Sequence, residues 1–218
     1  TKKTREKWVE YFNSQDYDVI LTTASLSLRL AMIAPRLKAA TIGWQHNCYD
    51  GYLHVKPVVF WQQENLLQQY LPNLDRYIVL SDYDKRDYME KLGIDCEVKI
   101  NPRSFVSEKK CDVKSKRFLM ATRFVYAKGL DLMMESFEEF CKEDSEWELD
   151  IIGDGDLFDQ IRADAKKRHL EKRVHFVGYT NEPEKYYLNS SVFLLPSRWE
   201  GWPMVIMEAF EFGLPVIA

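Results

Sequence analysis

The sequence predicts an α/β chain carrying two parallel, doubly wound sheets, and three observations lead there. Short apolar runs alternate with amphipathic helical stretches along the chain, the βαβα rhythm of parallel sheets. Runs such as DVILTT (Asp18–Thr23) and VFLLP (Val192–Pro196) are continuous and β-branched or apolar, as strands covered on both faces must be. Midway, the segment Ile100–Phe118 combines Asn-Pro, lysines and serines with little apolar periodicity, which reads as a linker between two α/β units.

Taken in order, the first seven residues carry Lys2, Lys3, Arg5 and Lys7, ahead of Trp8, Tyr11 and Phe12 at helical spacing. Such a helix is either a solvated one with an apolar face or one that lies on an anionic membrane. Strands are expected at Tyr17–Thr22, Ala40–Trp44, Arg76–Leu80 and Glu97–Ile100, giving a first unit over residues 1–102. The linker follows at 103–116. The second unit, 117–218, holds strands at Arg117–Ala121, Glu148–Ile152, Val174–Val177, Val192–Leu195 and Pro215–Ala218. Its clearest helices are Gly129–Cys141, with Leu130, Met133, Met134 and Phe137 on one face, and Phe158–His169.

Composition bounds the function classes. With 218 residues, 46% hydrophobic and 29% charged, the chain is long for one domain and short for two complete ones. A net charge of −4 gives no basis for nucleic acid as a bulk partner. No signal peptide and no bilayer-spanning apolar run is visible. Cys48, Cys96, Cys111 and Cys141 are scattered without C-x-x-C spacing, so they read as reduced thiols of a cytoplasmic protein.

Ligands of open parallel sheets bind outside the carboxyl ends of the strands, so the residues that follow each strand are the candidates. After RFLMA come Arg123 and Lys128, five apart, leading into a helix. Two cations beside a helix N-terminus suit a diphosphate, and equally they could be surface charges of a loop. After LDI, the glycines of IGDGD (Gly153, Gly155) permit a tight turn near a ligand. The D-x-D pattern there recurs at Asp16–Asp18 and Asp82–Asp84, so it carries no metal assignment. After VFLLP, the loop Ser197–Glu200 leads to Gly201, which allows close backbone approach, and to Pro203, suited to a first helical turn. Helix N–H groups starting there would face an anion. Glu208 falls two turns in, among Met204, Val205, Ile206, Met207 and Ala209; it could instead face solvent. His46, just after ATIGW, is placed either to touch a ligand or to serve as a satisfied structural histidine.

Four segments, FLMATRFVYAKGLDLMMESF, WELDIIGDGDLFDQI, VHFVGYT and LLPSRWEGWPMVIMEAFEFGLPVIA, resemble in order and spacing the C-terminal half of retaining glycosyltransferases of family 4. The last of them is similar to the E-x7-E motif, here Glu200 and Glu208, and IGWQHNCYDGYL resembles the N-terminal domain of bacterial polysaccharide-building members. The resemblance implies a GT-B fold, two Rossmann-like domains facing across a cleft, both incomplete in this chain. It implies transfer of a sugar with retention, without a metal or other cofactor, from a nucleotide-sugar, a UDP-sugar being favoured. The acceptor would be a saccharide or lipid-linked saccharide in cell-surface polysaccharide synthesis, at the cytoplasmic side, with peripheral membrane contact an open alternative.

The same resemblance assigns roles. Arg123 and Lys128 would bind the donor diphosphate. Glu200, with the backbone of Gly201, Trp202, Pro203 and Met204, would hold the donor sugar and distal phosphate. Glu208 would take the ribose hydroxyls, Gly178 and Tyr179 would lie near the base, and His46 would contact the sugar. Glu200 and His46 are thus the catalytic candidates. One departure is Thr122, where the family has glycine before the arginine, which would narrow the approach to the phosphates. The chain looks truncated at both ends relative to the family, so this piece alone is not expected to be a competent enzyme. The rival readings are a catalytically silent nucleotide-sugar-binding or scaffold protein on the same fold, and a glycosyl phosphorylase.

Overall fold

A computed structural model describes residues 2–55, 62–144 and 146–218. Residues 1, 56–61 and 145 of the expected units lie outside the described residues. The chain divides into two compact units, one of residues 1–101 with 200–202, the other of 102–199 with 203–218.

The first unit opens with helix α1 (Lys2–Ser14), which buries Val9, packs Phe12 on the core and leaves Trp8 and Tyr11 exposed. It continues through β1 (Val19–Thr23), α2 (Ser25–Ala31), β2 (Ala40–Trp44), α3 (Tyr49–Leu53), α4 (Glu64–Tyr70), β3 (Arg76–Val79), α5 (Asp82–Leu92) and β4 (Glu97–Val98). The strands form one parallel sheet in the order β1-β2-β3-β4. Its core gathers Leu28, Leu53, Leu67, Val79 and Tyr88. In β1, Val19 and Leu21 are 50% and 49% exposed, so the expectation of a strand covered on both faces fails there, where β1 ends the sheet. Ser81 caps α5 by accepting from the Asp84 amide at 3.0 Å, and Gly93 in the left-handed region ends it.

The second unit runs β5 (Arg117–Ala121), α6 (Leu130–Glu143), β6 (Glu148–Ile152), α7 (Phe158–Lys167), β7 (Val174–Gly178), α8 (Glu184–Leu188), β8 (Val192–Leu194), α9 (Met204–Glu211) and β9 (Val216–Ile217). All nine expected strands form, each boundary within two residues of the sequence-based one. The sheet is parallel in the order β7-β6-β5-β8-β9. Alternation along β5 serves two cores: Phe118 and Met120 pack with α6 and α7, while Leu119 and Ala121 pack with Tyr187, Ala209 and Phe212. The strand order turns back between β5 and β8, paired Phe118 to Val192 and Leu119 to Phe193. That is the topological switch point, where loops leaving adjacent strands diverge and open a crevice.

The segment read as a linker is tied to the second unit. Cys111 N–H donates to the Phe212 carbonyl at 2.8 Å, Asp112 N–H to Leu188 at 3.0 Å, and Ser107 N–H to the Glu211 carboxylate at 2.8 Å. At the starts of β5 to β7, far from the switch point, Arg117 bridges Asp150 (2.8 Å) and Glu148 (2.5 Å), and His175 meets Glu148 at 2.8 Å. Burial pushes the Asp150 carboxyl up despite its arginine, whereas the His175 hydrogen bond holds Glu148 below its ordinary value.

Candidate functional site

The loop after β5, residues 122–129, is anchored by Phe124, which is fully buried against Phe158 (5.0 Å between centroids) and Phe176 (6.3 Å). Its N–H donates to the Asp154 carbonyl at 2.9 Å, and its carbonyl accepts from Leu157 at 3.0 Å. The anchor leaves Arg123 exposed on one side, and a 3-10 turn, Tyr126–Lys128, brings Lys128 to the start of α6. The glycines of IGDGD serve this loop. A Cβ on Gly153, at φ 124°, would sit 1.8 Å from the Thr122 carbonyl oxygen, and one on Gly155 would sit 2.8 Å from Phe124 N. Their small size lets this turn pack against the loop after β5.

The loop after β8 meets the loop after β5 directly. Gly129, φ 63°, has no room for a side chain, because a Cβ would lie 1.9 Å from the Pro196 carbonyl oxygen. Arg198 N–H donates to the Ala127 carbonyl at 2.8 Å. The Arg198 guanidinium forms a two-pronged pair with Asp131 (2.8 and 2.7 Å), donates to the Tyr126 carbonyl (2.9 Å) and lies 4.1 Å from the Tyr126 ring centroid. Trp199 adds a ring contact to Tyr126 at 6.1 Å. This clasp joins the loop carrying Arg123 and Lys128 to the start of the loop after β8. Neither Arg198 nor Asp131 was singled out from sequence; an arginine beside the motif and an aspartate in the first turn of a helix were the available signals.

The clasp has a testable acid dependence. The Arg198 hydrogen bond holds the Asp131 carboxyl below its usual range, with the backbone amide at Leu132 assisting. A depressed folded value means the pair stabilises above the unfolded carboxylate pKa of about 3.9 and loses that contribution as pH falls through the folded value. Asp131 is 54% exposed, so the contribution is small, under about 1 kcal/mol. Urea titrations should show wild type more stable than Asp131→Asn at pH 7, with the two converging below about pH 4.

Helix α9 begins at Met204. Pro203 sits one position earlier than expected, at the cap, because its ψ of 100° is extended. Pro203 has no side-chain acceptor to offer, so the first turn of α9 lacks an N-cap hydrogen bond from the cap residue. Glu208, one face down, is half-buried, and its Oε2 accepts a hydrogen bond from the Tyr187 hydroxyl at 2.8 Å. A protein hydroxyl therefore already accounts for this carboxylate among apolar neighbours, which sequence had explained by ribose alone. Glu208 and Tyr187 line a cavity of about 790 Å³ that also includes Phe105, Ser107, Lys109 and Asn181. Gly178, φ 78°, ends β7 and accepts from Gly153 N–H at 2.9 Å, and Tyr179 beyond it is 79% exposed.

Glu200, Gly201 and Trp202 group with the first unit. Within that unit, Gly201 lies against the backbone of His46 and Asn47; a Cβ there would be 2.6 Å from the His46 carbonyl oxygen. The His46 ring stacks on Trp44 at 5.3 Å, and partial burial lowers its basicity below that of an ordinary imidazole. The Trp202 indole N–H is buried with no acceptor among the described residues. Among those residues no group of three or more His, Cys, Asp or Glu side chains is arranged to hold a metal ion, and no helix is long and apolar enough to cross a membrane.

Comparison with known proteins adds a family to this geometry. A family model described as glycosyl transferases group 1 matches residues 104–218. A protein of Haemophilus influenzae named as an uncharacterized glycosyltransferase is 29% identical over 224 residues, covering 100% of this chain and 60% of its own. The lipopolysaccharide 1,6-galactosyltransferase of Salmonella typhimurium is 31% identical over 105 residues, 46% of this chain and 29% of that protein. Among solved structures, a mutant of S. aureus TarM in complex with fondaparinux, alpha-GlcNAc-glycerol and UDP superposes with a TM-score of 0.79. That match has 20% identity, over 95% of this chain and 43% of TarM, and it speaks for the fold. The chain therefore spans about 60% of the H. influenzae relative and less than half of the other two.

Proposed function

The chain belongs to the glycosyl transferases group 1 family, and from that premise we propose that it carries the donor site of a retaining, metal-independent enzyme that transfers a sugar from a UDP-sugar. The acceptor we assign is a saccharide or lipid-linked saccharide of a cell-surface polysaccharide, in keeping with the galactosyltransferase relative's name. The observation that carries the reading is the meeting of two loops at the switch point between β5 and β8. There the loop of Arg123 and Lys128 is tied to the loop that leads towards α9, the helix that carries Glu208.

Each part has a task in that reaction. Breaking the anomeric C–O bond leaves negative charge on the departing diphosphate and oxocarbenium character on the sugar. Arg123, Lys128 and the leading amides of α9 stabilise that charge where it develops, in a site already arranged before reaction. Glu208 accepts from the ribose hydroxyls, and the backbone from Gly201 to Met204 with Glu200 holds the sugar and distal phosphate. The lowered basicity of His46 favours a neutral imidazole, which suits a hydrogen bond to a sugar hydroxyl. Gly178 and Tyr179 supply a surface near the base. Thr122 keeps its hydroxyl turned to the Arg123 carbonyl, at 3.3 Å.

Ligand-dependent stability tests this. In EDTA, UDP at a hundred times its dissociation constant should add about 2.7 kcal/mol of stability, read as a shift in Tm. Arg123→Ala should abolish most of that shift, with GDP and ADP giving less than UDP. A folded protein indifferent to all three nucleotides would sink the reading.

A further inference from the structure

The geometry points to Tyr187 as the positioning residue of Glu208, a hydroxyl fixed by the aromatic core that sets the carboxylate for the nucleotide's ribose. The inference rests on the donor-site reading given above. Tyr187 is 1% exposed, in α8, and its ring stacks on Phe193 of β8 (5.7 Å, 7° between planes) and on Phe212 just past α9 (5.2 Å, 26°). Phe193 and Phe212 are themselves buried, so the ring has fixed walls. Glu208 and Phe212 are four apart on one face of the same helix region, and the Tyr187 ring lies along that face, ending at Glu208 Oε2.

A glutamate has three rotatable side-chain bonds, and a bound ribose must otherwise select one arrangement of them. A phenol held in place selects it beforehand by donating to one carboxylate oxygen. The donor role is secure, because burial and the nearby Glu208 charge raise the Tyr187 phenol well above its ordinary value and keep it protonated. A tyrosine used only for packing would need an acceptor for its hydroxyl, and a backbone carbonyl would serve. Here the acceptor is a carboxylate of α9 that lines a cavity.

The test uses Tyr187→Phe, which keeps the stacked ring and removes the hydroxyl, Glu208→Gln, and the double variant. Calorimetry gives the dissociation constants of UDP and of a UDP-sugar. Tyr187→Phe should weaken both about tenfold, the loss of one hydrogen bond to a charged group. The double variant should bind no worse than Glu208→Gln alone. Discrimination between UDP and its 2′- or 3′-deoxy analogues should shrink in Tyr187→Phe, a readout that a packing role would leave unmoved. An unchanged UDP affinity in Tyr187→Phe, or losses that simply add in the double variant, would overturn the inference while leaving the donor site standing. Unchanged affinity in Glu208→Gln would instead overturn the placement of ribose at Glu208, and the inference with it.

Discussion

Gly153→Ala is expected to destabilise the second unit by roughly 2–6 kcal/mol, a large share of the 5–15 kcal/mol that holds a typical domain. Two costs combine. The backbone at φ 124° is open to glycine and strained for alanine. The new methyl would also stand 1.8 Å from the Thr122 carbonyl oxygen, a backbone atom of the neighbouring loop that cannot rotate away. Gly178→Ala separates the two costs. It also has positive φ, 78°, but nothing lies within 4 Å of its Cβ, so only the backbone term of about 1–2 kcal/mol should appear. Urea midpoints of both variants decide the matter; equal losses would mean that the contact with Thr122 relaxes freely.

Phe124→Ala should cost about 3–5 kcal/mol, the range for removing a fully buried phenylalanine. Its second effect should be functional. Phe124 is the nail that holds residues 122–129 to Phe158 and Phe176, and Arg123 is its immediate neighbour. With the ring gone, the loop loses its fixed position, and UDP binding should weaken even in protein that remains folded. Phe124→Leu refills most of the volume and should recover most of both losses. Retained UDP affinity in folded Phe124→Ala would show that the loop is held by its hydrogen bonds to Asp154 and Leu157 alone.

The strands were legible because their signal is local: runs such as RFLMA and ELDII need only composition and length to be read. Strand order was not, since β5 beside β8 is a tertiary pairing between distant segments with no trace in either run. The same holds for partners. Glu208 was visible as a carboxylate out of place, but Tyr187, which satisfies it, lies in KYYLNSS, where nothing distinguishes it from Tyr186. Arg198 was read as a loop residue because its counterpart, Asp131, is 67 residues away. The segment 103–116 was read as a linker for want of periodicity. Cys111 and Asp112 join the second unit through backbone hydrogen bonds, which leave no pattern in side-chain type.

The pairing of β5 with β8 also sets a timetable. In the second unit it joins segments farther apart along the chain than any other strand pair, from Phe118 to Val192, so its loop-closure entropy is the greatest of them. During synthesis β5, β6 and β7 can associate as a three-stranded nucleus while β8 is still to be made. Arg123 and Lys128 are then in place before the loop after β8 has been made, and nucleotide has no complete pocket to enter. The clasp of Arg198 on Asp131 can close only once the segment that follows β8 has been made. The site is therefore a late product of folding, and a nascent chain acquires it only when the sheet that supports it is nearly complete.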